Sequence, residues 1–210
     1  MKEAGRERGR FLVLEGIDGS GKTTQAKLLA ERLRKEGRQV VLTAEPTSYP
    51  TGVALREALS GKVRHSECEM AALFVLDRIA HNTHPEEGIG ALLAAGVDVI
   101  CDRYYYSTLA YQGQSTDYAW VKAMNLLCPE IRRPDLCVYL DLTPEQSLER
   151  IRCGRDSVEI YENRETLSRV RETFLQVLHD LSGSDRIVTL DAYRPPELIH
   201  EDIYRALNKI

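Results

Sequence analysis

The sequence predicts a three-layer α/β fold built on a mainly parallel sheet, and three observations carry that expectation. Short apolar runs alternate along the chain with segments of helical periodicity, which is the signature of strands joined by helical crossovers. Five such runs occur, and none is joined to the next by a two-residue hairpin signal. With 210 residues, of which 43% are hydrophobic, the chain has enough apolar material for one sizeable core.

Phe11-Leu12-Val13-Leu14, closed by Glu15 and Gly16, reads as a buried first strand. Residues 22–36 place Ala26, Leu29, Ala30 and Leu33 on one helical face, with Gly37 as the stop. Residues 39–43 form the second strand. A loop over 45–52 carries Pro and Gly, and helical patterns follow at 53–60, at 67–81 and, beyond Pro85, at 86–95. Residues 97–101 give the third strand, 117–127 a helix and 136–142 the fourth strand. Pro144 then opens a helix through about residue 152, with Pro at a first-turn position after Thr143. Residues 162–181 make one long helix, 186–190 the fifth strand and 196–208 the closing helix. No internal repeat, low-complexity tract or interdomain linker interrupts this order.

Charge excludes several roles. The net charge is −4, with 28 basic and 32 acidic residues, so no global basic field exists to hold nucleic acid or an anionic membrane. The basic set is 21 arginines against seven lysines, a bias that fits either codon usage or forked recognition of phosphate by a few positions. No apolar run reaches the roughly 18 residues needed to span a bilayer. Residues 1–9 are charged and lack an apolar stretch, so they read as a flexible leader and not a secretion signal; a cytoplasmic location is expected. Cys68, Cys101, Cys128, Cys137 and Cys153 form no CxxC pair, which suits reduced thiols better than disulfides or a zinc site. His81 and His84 lack a third ligand. Tyr104-Tyr105-Tyr106 lacks the interleaved cations of a nucleic-acid stacking stripe.

The strongest motif stands between the first strand and the first helix. Gly16-Ile17-Asp18-Gly19-Ser20-Gly21-Lys22-Thr23 matches GxxxxGK[ST], with the flanking strand and helix that pattern requires. Its glycines let successive N–H groups face phosphate oxygens, and the following helix presents its positive end to the same anion. Lys22 adds a point charge, and Thr23 offers a hydroxyl oxygen of the kind Mg²⁺ takes. Together these residues form a nucleoside-triphosphate site. The loop does not choose a reaction by itself. The absence of an NKxD segment argues against a small GTPase, and the length argues against a motor ATPase.

The third strand ends in Asp102-Arg103-Tyr104, at the carboxyl edge where parallel sheets bind ligands. There Asp102 can order a Mg²⁺ water shell and Arg103 can hold an acceptor phosphate, although an Asp–Arg surface pair has the same local sequence. Phe74 and Arg78 lie one helical turn apart and so share a face, as an aromatic plate and cation for a nucleobase or as a core Phe beside a solvated Arg.

Taken together, FLVLEGIDGSGKTTQ, the EPT at 45–47, LFVLDR at 73–78, DRYYYSTLAYQG at 102–113 and RPDLCVYLDLTPE at 133–145 resemble the thymidylate kinase family in order and spacing through about residues 10–181. The resemblance implies a phosphate-loop kinase fold: a five-stranded parallel sheet flanked by helices, a single domain over residues 10–210, and a short lid over about 150–162. It implies transfer of the terminal phosphoryl of ATP to thymidine monophosphate, with Mg²⁺ held at Thr23 and Asp102, and a homodimer. By the same resemblance Asp18 would contact the acceptor's sugar and phosphate region, Phe74 would stack on thymine, and Arg78 would reach the base edge or acceptor phosphate. Arg103 would bind that phosphate. Ser107 and Thr108 fall where polar contacts to the base occur, Tyr111 lies near the sugar carbon that separates deoxyribose from ribose, and Gln112 is a further candidate.

Phosphoryl transfer also needs positive charge on the equatorial oxygens. Some thymidylate kinases carry an arginine inside the phosphate loop, where this chain has Gly19; others donate it from the lid, where this chain has Arg155, then Arg150 and Arg152, in that order of preference. Each could instead face solvent on an amphipathic helix end. Ala44 and Ser157 stand where relatives often have arginine, and Arg56 is placed to compensate for the first. Two other readings remain open: a kinase of another deoxynucleotide or deoxynucleoside, and a nucleotide-binding regulator that has lost catalysis.

Overall fold

The computed structural model describes residues 8–154 and 164–210. Five strands form one sheet: β1 (Phe11–Glu15), β2 (Val40–Ala44), β3 (Asp98–Asp102), β4 (Leu136–Asp141) and β5 (Ile187–Asp191). Their order is β2-β3-β1-β4-β5, and every pairing is parallel. The continuous apolar runs follow from this arrangement, because β1 and β4 have neighbours on both edges and helices over both faces. Every residue of β1 is buried.

Helices α1 (Lys22–Lys35), α2 (Pro50–Leu59), α3 (Glu67–Thr83) and α4 (Ile89–Ala94) precede β3, α5 (Tyr105–Ser115) and α6 (Tyr118–Leu126) precede β4, and α7 (Pro144–Gly154) and α8 (Arg164–Leu181) precede β5. Helix α9 (Pro196–Leu207) closes the chain and packs on α1. Most starts have a local cause. Ser66 and Glu69 form a reciprocal capping box at α3, with Glu69 N donating to Ser66 Oγ at 3.2 Å and Ser66 N donating to Glu69 Oε2 at 2.7 Å. Thr143 and Gln146 do the same for α7.

Two departures from the sequence expectation have physical reasons. The helix expected from residue 86 begins at Ile89, because the Glu86 and Glu87 amides turn back onto His84 Nδ1. Helix α5 was not anticipated at all. Its sequence shows no apolar stripe, since Tyr105 through Ala110 and Gln112 are all buried, and its start has no cap nearby in sequence. The cap comes from β1: Glu15 Oε1 accepts from the Tyr104 and Ser107 amides at 2.7 and 3.2 Å. Tyr104, Tyr105 and Tyr106 are fully buried core residues, with the Tyr105 and Tyr106 hydroxyls bonded to Asp185.

At the start of the sheet, Asp98 ties the incoming chain to β2. Its Oδ1 accepts from Arg10 N at 2.8 Å, and its two oxygens accept from the guanidiniums of Arg10 and Arg38. Gly9 N also donates to Leu93 O at 2.9 Å. Burial would raise the Asp98 carboxyl, but Arg38 and Arg10 overcome it and hold the group down at about 2. Such a depressed carboxylate stabilises the fold above its ordinary value of 3.8 and loses that contribution as pH falls toward 2. Asp98→Asn is therefore expected to cost about 1–2 kcal/mol at pH 7, allowing for screening of the exposed arginine. Urea unfolding should show the deficit shrinking toward pH 2, and equal stability at pH 7 would contradict it.

Candidate active site

The phosphate loop hangs from the carboxyl end of β1 and runs into α1. Gly16, Gly19 and Gly21 all have positive φ, at 146°, 74° and 93°. At Gly16 a Cβ would lie 2.6 Å from Leu140 O and from Ser20 Oγ, so no side chain fits between the loop and β4. At Gly19 a Cβ would meet Ser147 O at 3.0 Å and Ile151 Cγ1 at 3.3 Å. Gly21 caps α1 without a side-chain acceptor, so the helix presents its first amides to whatever fills the loop. Ile17 is buried and contributes through its backbone: its carbonyl accepts from Ser20 N and, at 3.1 Å, from Lys22 Nζ. Lys22 Nζ also donates to Gly16 O at 3.0 Å. Burial, then the Arg103 charge, pushes the Lys22 ammonium down to about 8 against the pull of Asp102, Asp18 and Glu15. Thr23 Oγ1 donates to Asp102 Oδ2 at 2.7 Å, which brings the two expected metal-side oxygens together.

Gly19, Gly21, Lys22, Thr23 and Asp102 line a cavity of about 420 Å³. Of the two expected lid arginines among the described residues, Arg150 is placed there, with Nη2 donating to Ala192 O at 2.7 Å and Nη1 3.5 Å from Gly19 O. Arg152 is exposed and lines neither cavity, because it sits on the solvent side of α7. Arg155, the first choice from sequence, lies outside the described residues.

A second cavity, about 670 Å³, opens beside the first. All eight residues expected to bind the acceptor line it: Arg56, Phe74, Arg78, Arg103, Ser107, Thr108, Tyr111 and Gln112. They arrive from four segments. Helix α2 brings Arg56, whose Nη1 donates to Pro46 O at 2.9 Å, so this guanidinium reaches the loop that follows Ala44. Helix α3 brings Phe74 and Arg78 on one face. Arg103 comes from the turn after β3, and α5 brings the rest.

Arg78 is 1% exposed. Its Nη2 donates to Glu45 Oε2 at 2.6 Å and to Thr108 Oγ1 at 3.1 Å, and its Nη1 to Asn125 Oδ1 at 2.5 Å. Among the described residues its Nε has no partner, and neither has Gln112 Oε1. Both atoms are buried, on residues that line the cavity.

Arg103 is the one described non-glycine residue with positive φ, at 70°. Such a backbone is costly for a side-chain-bearing residue and persists only when its surroundings hold it. Here Arg103 N donates to Leu14 O at 3.0 Å and its carbonyl accepts from Cys101 Sγ at 3.0 Å. The guanidinium pairs with Asp18 and donates to Ser107 Oγ at 3.1 Å. Ser107 Oγ in turn donates to Glu15 Oε2 at 2.7 Å. Burial raises the Glu15 carboxyl, while Arg103, Ser107, the Tyr104 amide and Lys22 work against that rise. Asp18 and Arg103 line both cavities, so the two spaces meet at one carboxylate and one guanidinium.

Glu15, Glu45, Asp77 and Asn125 were not selected from sequence. Glu15 and Glu45 stood inside quoted motifs, but their roles depend on partners distant in the chain. Asp77, 1% exposed, accepts from Thr47 N, Thr47 Oγ1 and Thr51 Oγ1 at 2.8, 2.6 and 2.8 Å and so fixes the loop after β2.

A phosphate loop feeding one cavity, and an adjoining cavity whose cations share residues with the first, define a phosphate-loop kinase of small acceptors. A family model for thymidylate kinase matches residues 14–203. A probable thymidylate kinase of Pyrococcus horikoshii is 42% identical over 203 residues, covering 93% of this chain and 94% of that protein. A thymidylate kinase of Halothermothrix orenii is 37% identical over 205 residues, covering 94% and 95%. The chain belongs to the thymidylate kinase family, and is an ATP-dependent nucleoside monophosphate kinase.

Proposed function

We propose that this protein transfers the terminal phosphoryl group of ATP to thymidine monophosphate, giving ADP and thymidine diphosphate on the way to dTTP. The observation that carries this reading is the junction of the two cavities at Asp18 and Arg103. A donor in the phosphate-loop cavity and an acceptor in the larger one would meet there, where an acceptor phosphate oxygen forms a new P–O bond as the bond to the leaving ADP oxygen breaks.

On the donor side Gly16 through Thr23 cradle the phosphates and Lys22 faces the outer ones. Thr23 and Asp102 supply hard oxygens that fit Mg²⁺, which when bound neutralises phosphate charge. On the acceptor side Phe74 stacks on the base, Arg78 and Gln112 face its edge, and Ser107, Thr108 and Tyr111 complete the wall. Thymine offers there a carbonyl acceptor and an N–H donor, groups that a guanidinium and a side-chain amide can each meet. A base with the opposite pattern would leave buried groups unpaired, which discriminates more strongly than shape alone. Arg103, with Arg56 nearby, neutralises the acceptor phosphate. Arg150 supplies lid-side charge, with Arg155 and Arg152 in the same segment over 150–162. A homodimer and a cytoplasmic location belong to the same reading; no helix among the described residues is long and apolar enough to cross a membrane.

Coupled measurement of ADP release with ATP, Mg²⁺ and a panel of nucleoside monophosphates tests the proposal. The expected result is a preference for thymidine monophosphate. Preference for another acceptor, or binding without turnover, would replace it.

A further inference from the structure

Away from the two cavities, the buried carboxylates Asp98 and Asp185 anchor strands and helices of the fold, and Asp77 anchors the loop after β2. A further buried group bridges α3 to the end of β2 and, through Glu45, leads to the acceptor cavity. His81 is 2% exposed, one turn beyond Asp77 on α3, and does not line the cavity. Both its ring nitrogens are engaged. Nδ1 lies 2.9 Å from Glu45 Oε1 and Nε2 lies 2.8 Å from Thr43 Oγ1. A carboxylate only accepts, so Nδ1 carries the proton toward Glu45, and Nε2 shares a hydrogen bond with the Thr43 hydroxyl. The other oxygen of Glu45 holds Arg78 Nη2 at 2.6 Å.

The backbone at Glu45 is fixed without help from His81: Glu45 N donates to Asp102 O at 3.1 Å, and Asp77 secures Thr47 two residues on. What remains to be set is the rotation of the Glu45 carboxylate. With His81 on Oε1, Glu45 meets Arg78 through one oxygen, and the guanidinium keeps its other donors on Thr108 and Asn125. With Oε1 released, the carboxylate is free to turn into the two-pronged pairing that guanidinium and carboxylate favour, which would draw Arg78 away from Asn125 and from the cavity.

We propose that His81 is a positioning residue for acceptor recognition: through Glu45 it sets the orientation in which Arg78 meets the acceptor base. The proposal rests on the assignment of the larger cavity to thymidine monophosphate. Its signature is loss of base discrimination, because a misaligned Arg78 weakens the choice between a carbonyl and an amino group at the base edge, one of the features that separate thymidylate from deoxycytidylate.

The test compares kcat/KM for these two acceptors, with KM for ATP, in the wild type and in His81→Leu, His81→Asn and Thr43→Val. His81→Leu is expected to lower kcat/KM for thymidylate about tenfold and to shrink the thymidylate-to-deoxycytidylate ratio, with KM for ATP within about twofold. His81→Asn, whose amide returns a donor near the Nδ1 position, is expected to recover most of the ratio. Thr43→Val, which leaves the histidine in place but removes its outer partner, should shrink the ratio by a smaller factor. Should His81→Leu fail to fold, the other two variants decide, and a wild-type ratio in Thr43→Val overturns the proposal. So does an unchanged ratio in a cooperatively melting His81→Leu, or an equal loss for both acceptors that His81→Asn does not relieve. If the wild type itself turns over deoxycytidylate as well as thymidylate, the acceptor assignment fails, and this proposal with it, whatever the variants do.

Discussion

Replacing Arg103 with alanine is expected to lower kcat/KM for thymidine monophosphate by about 10³-fold, the scale on which a single arginine acts in phosphoryl transfer. Three features make this the largest effect in the acceptor cavity. The guanidinium borders both cavities, so in the proposed reaction it would face the donor and acceptor phosphates alike. It is paired with Asp18 and bonded to Ser107, which fixes its plane before any substrate arrives. Its backbone holds a left-handed conformation against local cost. Burial works against its charge, and Tyr111, Asp18, Glu15 and Asp102 outweigh that penalty, so the cation is maintained inside the site. Arg103→Lys should recover about tenfold at most, because one ammonium cannot serve Asp18, Ser107 and a phosphate in a fork. ATP affinity, measured by titration without acceptor, should change far less than turnover. A variant within about tenfold of wild type would remove Arg103 from the reaction.

Lys22→Ala carries the second large effect, a fall in kcat on the order of 10²- to 10³-fold at saturating acceptor. The residue also gives a pH signature. An ordinary lysine ammonium titrates near 10.5, and here burial and Arg103 bring it to about 8. Between those values the unfolded chain binds the proton that the folded chain has released, so the lysine's contribution to stability rises with pH across that window. Phosphates entering the loop oppose the shift by favouring the charged form. ATP binding near pH 9 is therefore expected to take up a proton, visible as a buffer-dependent heat in calorimetry and absent from Lys22→Ala. Equal heats in buffers of different ionisation enthalpy would contradict this account of the lysine.

Those two residues were among the most legible in the sequence, and the reason is local. Lys22 stands in a contiguous motif whose glycines can be justified one by one, and Arg103 stands at the carboxyl end of a strand whose apolar run is unmistakable. Of the eight acceptor-side residues, helical spacing pairs Phe74 with Arg78, the strand end offers Arg103, Arg56 stands in for the charge absent at Ala44 and the resemblance adds the other four; the structure gathers all eight around one cavity. What the sequence hid depends on contacts across long separations. Helix α5 has no polar face to create a period, and its cap is a carboxylate 89 residues earlier in the chain. Glu45 and His81 look like an ordinary loop acid and helix-end imidazole until β2 and α3 are brought side by side. The lid cation shows a different limit: helical spacing alone does not say which of Arg150 and Arg152 turns toward the loop, and packing against Ala192 selects Arg150.

The closeness of α7 to the phosphate loop has a consequence for how such an enzyme can change over generations. Ser147 Oγ donates to Asp18 O at 2.6 Å, and the space beside Gly19 is already filled by the Ser147 carbonyl and Ile151. Loop and helix thus meet directly through Ser147 and the Ile151 side chain. A Cβ at Gly19 would press on the Ser147 carbonyl at 3.0 Å and would have to hold a φ of 74°, so a side chain there needs the seam between loop and helix to give. With Arg150 as the lid-side charge of the proposed reaction, a loop-borne arginine would have to be accommodated at the expense of that seam, so the place of the cation and the packing of α7 would change together.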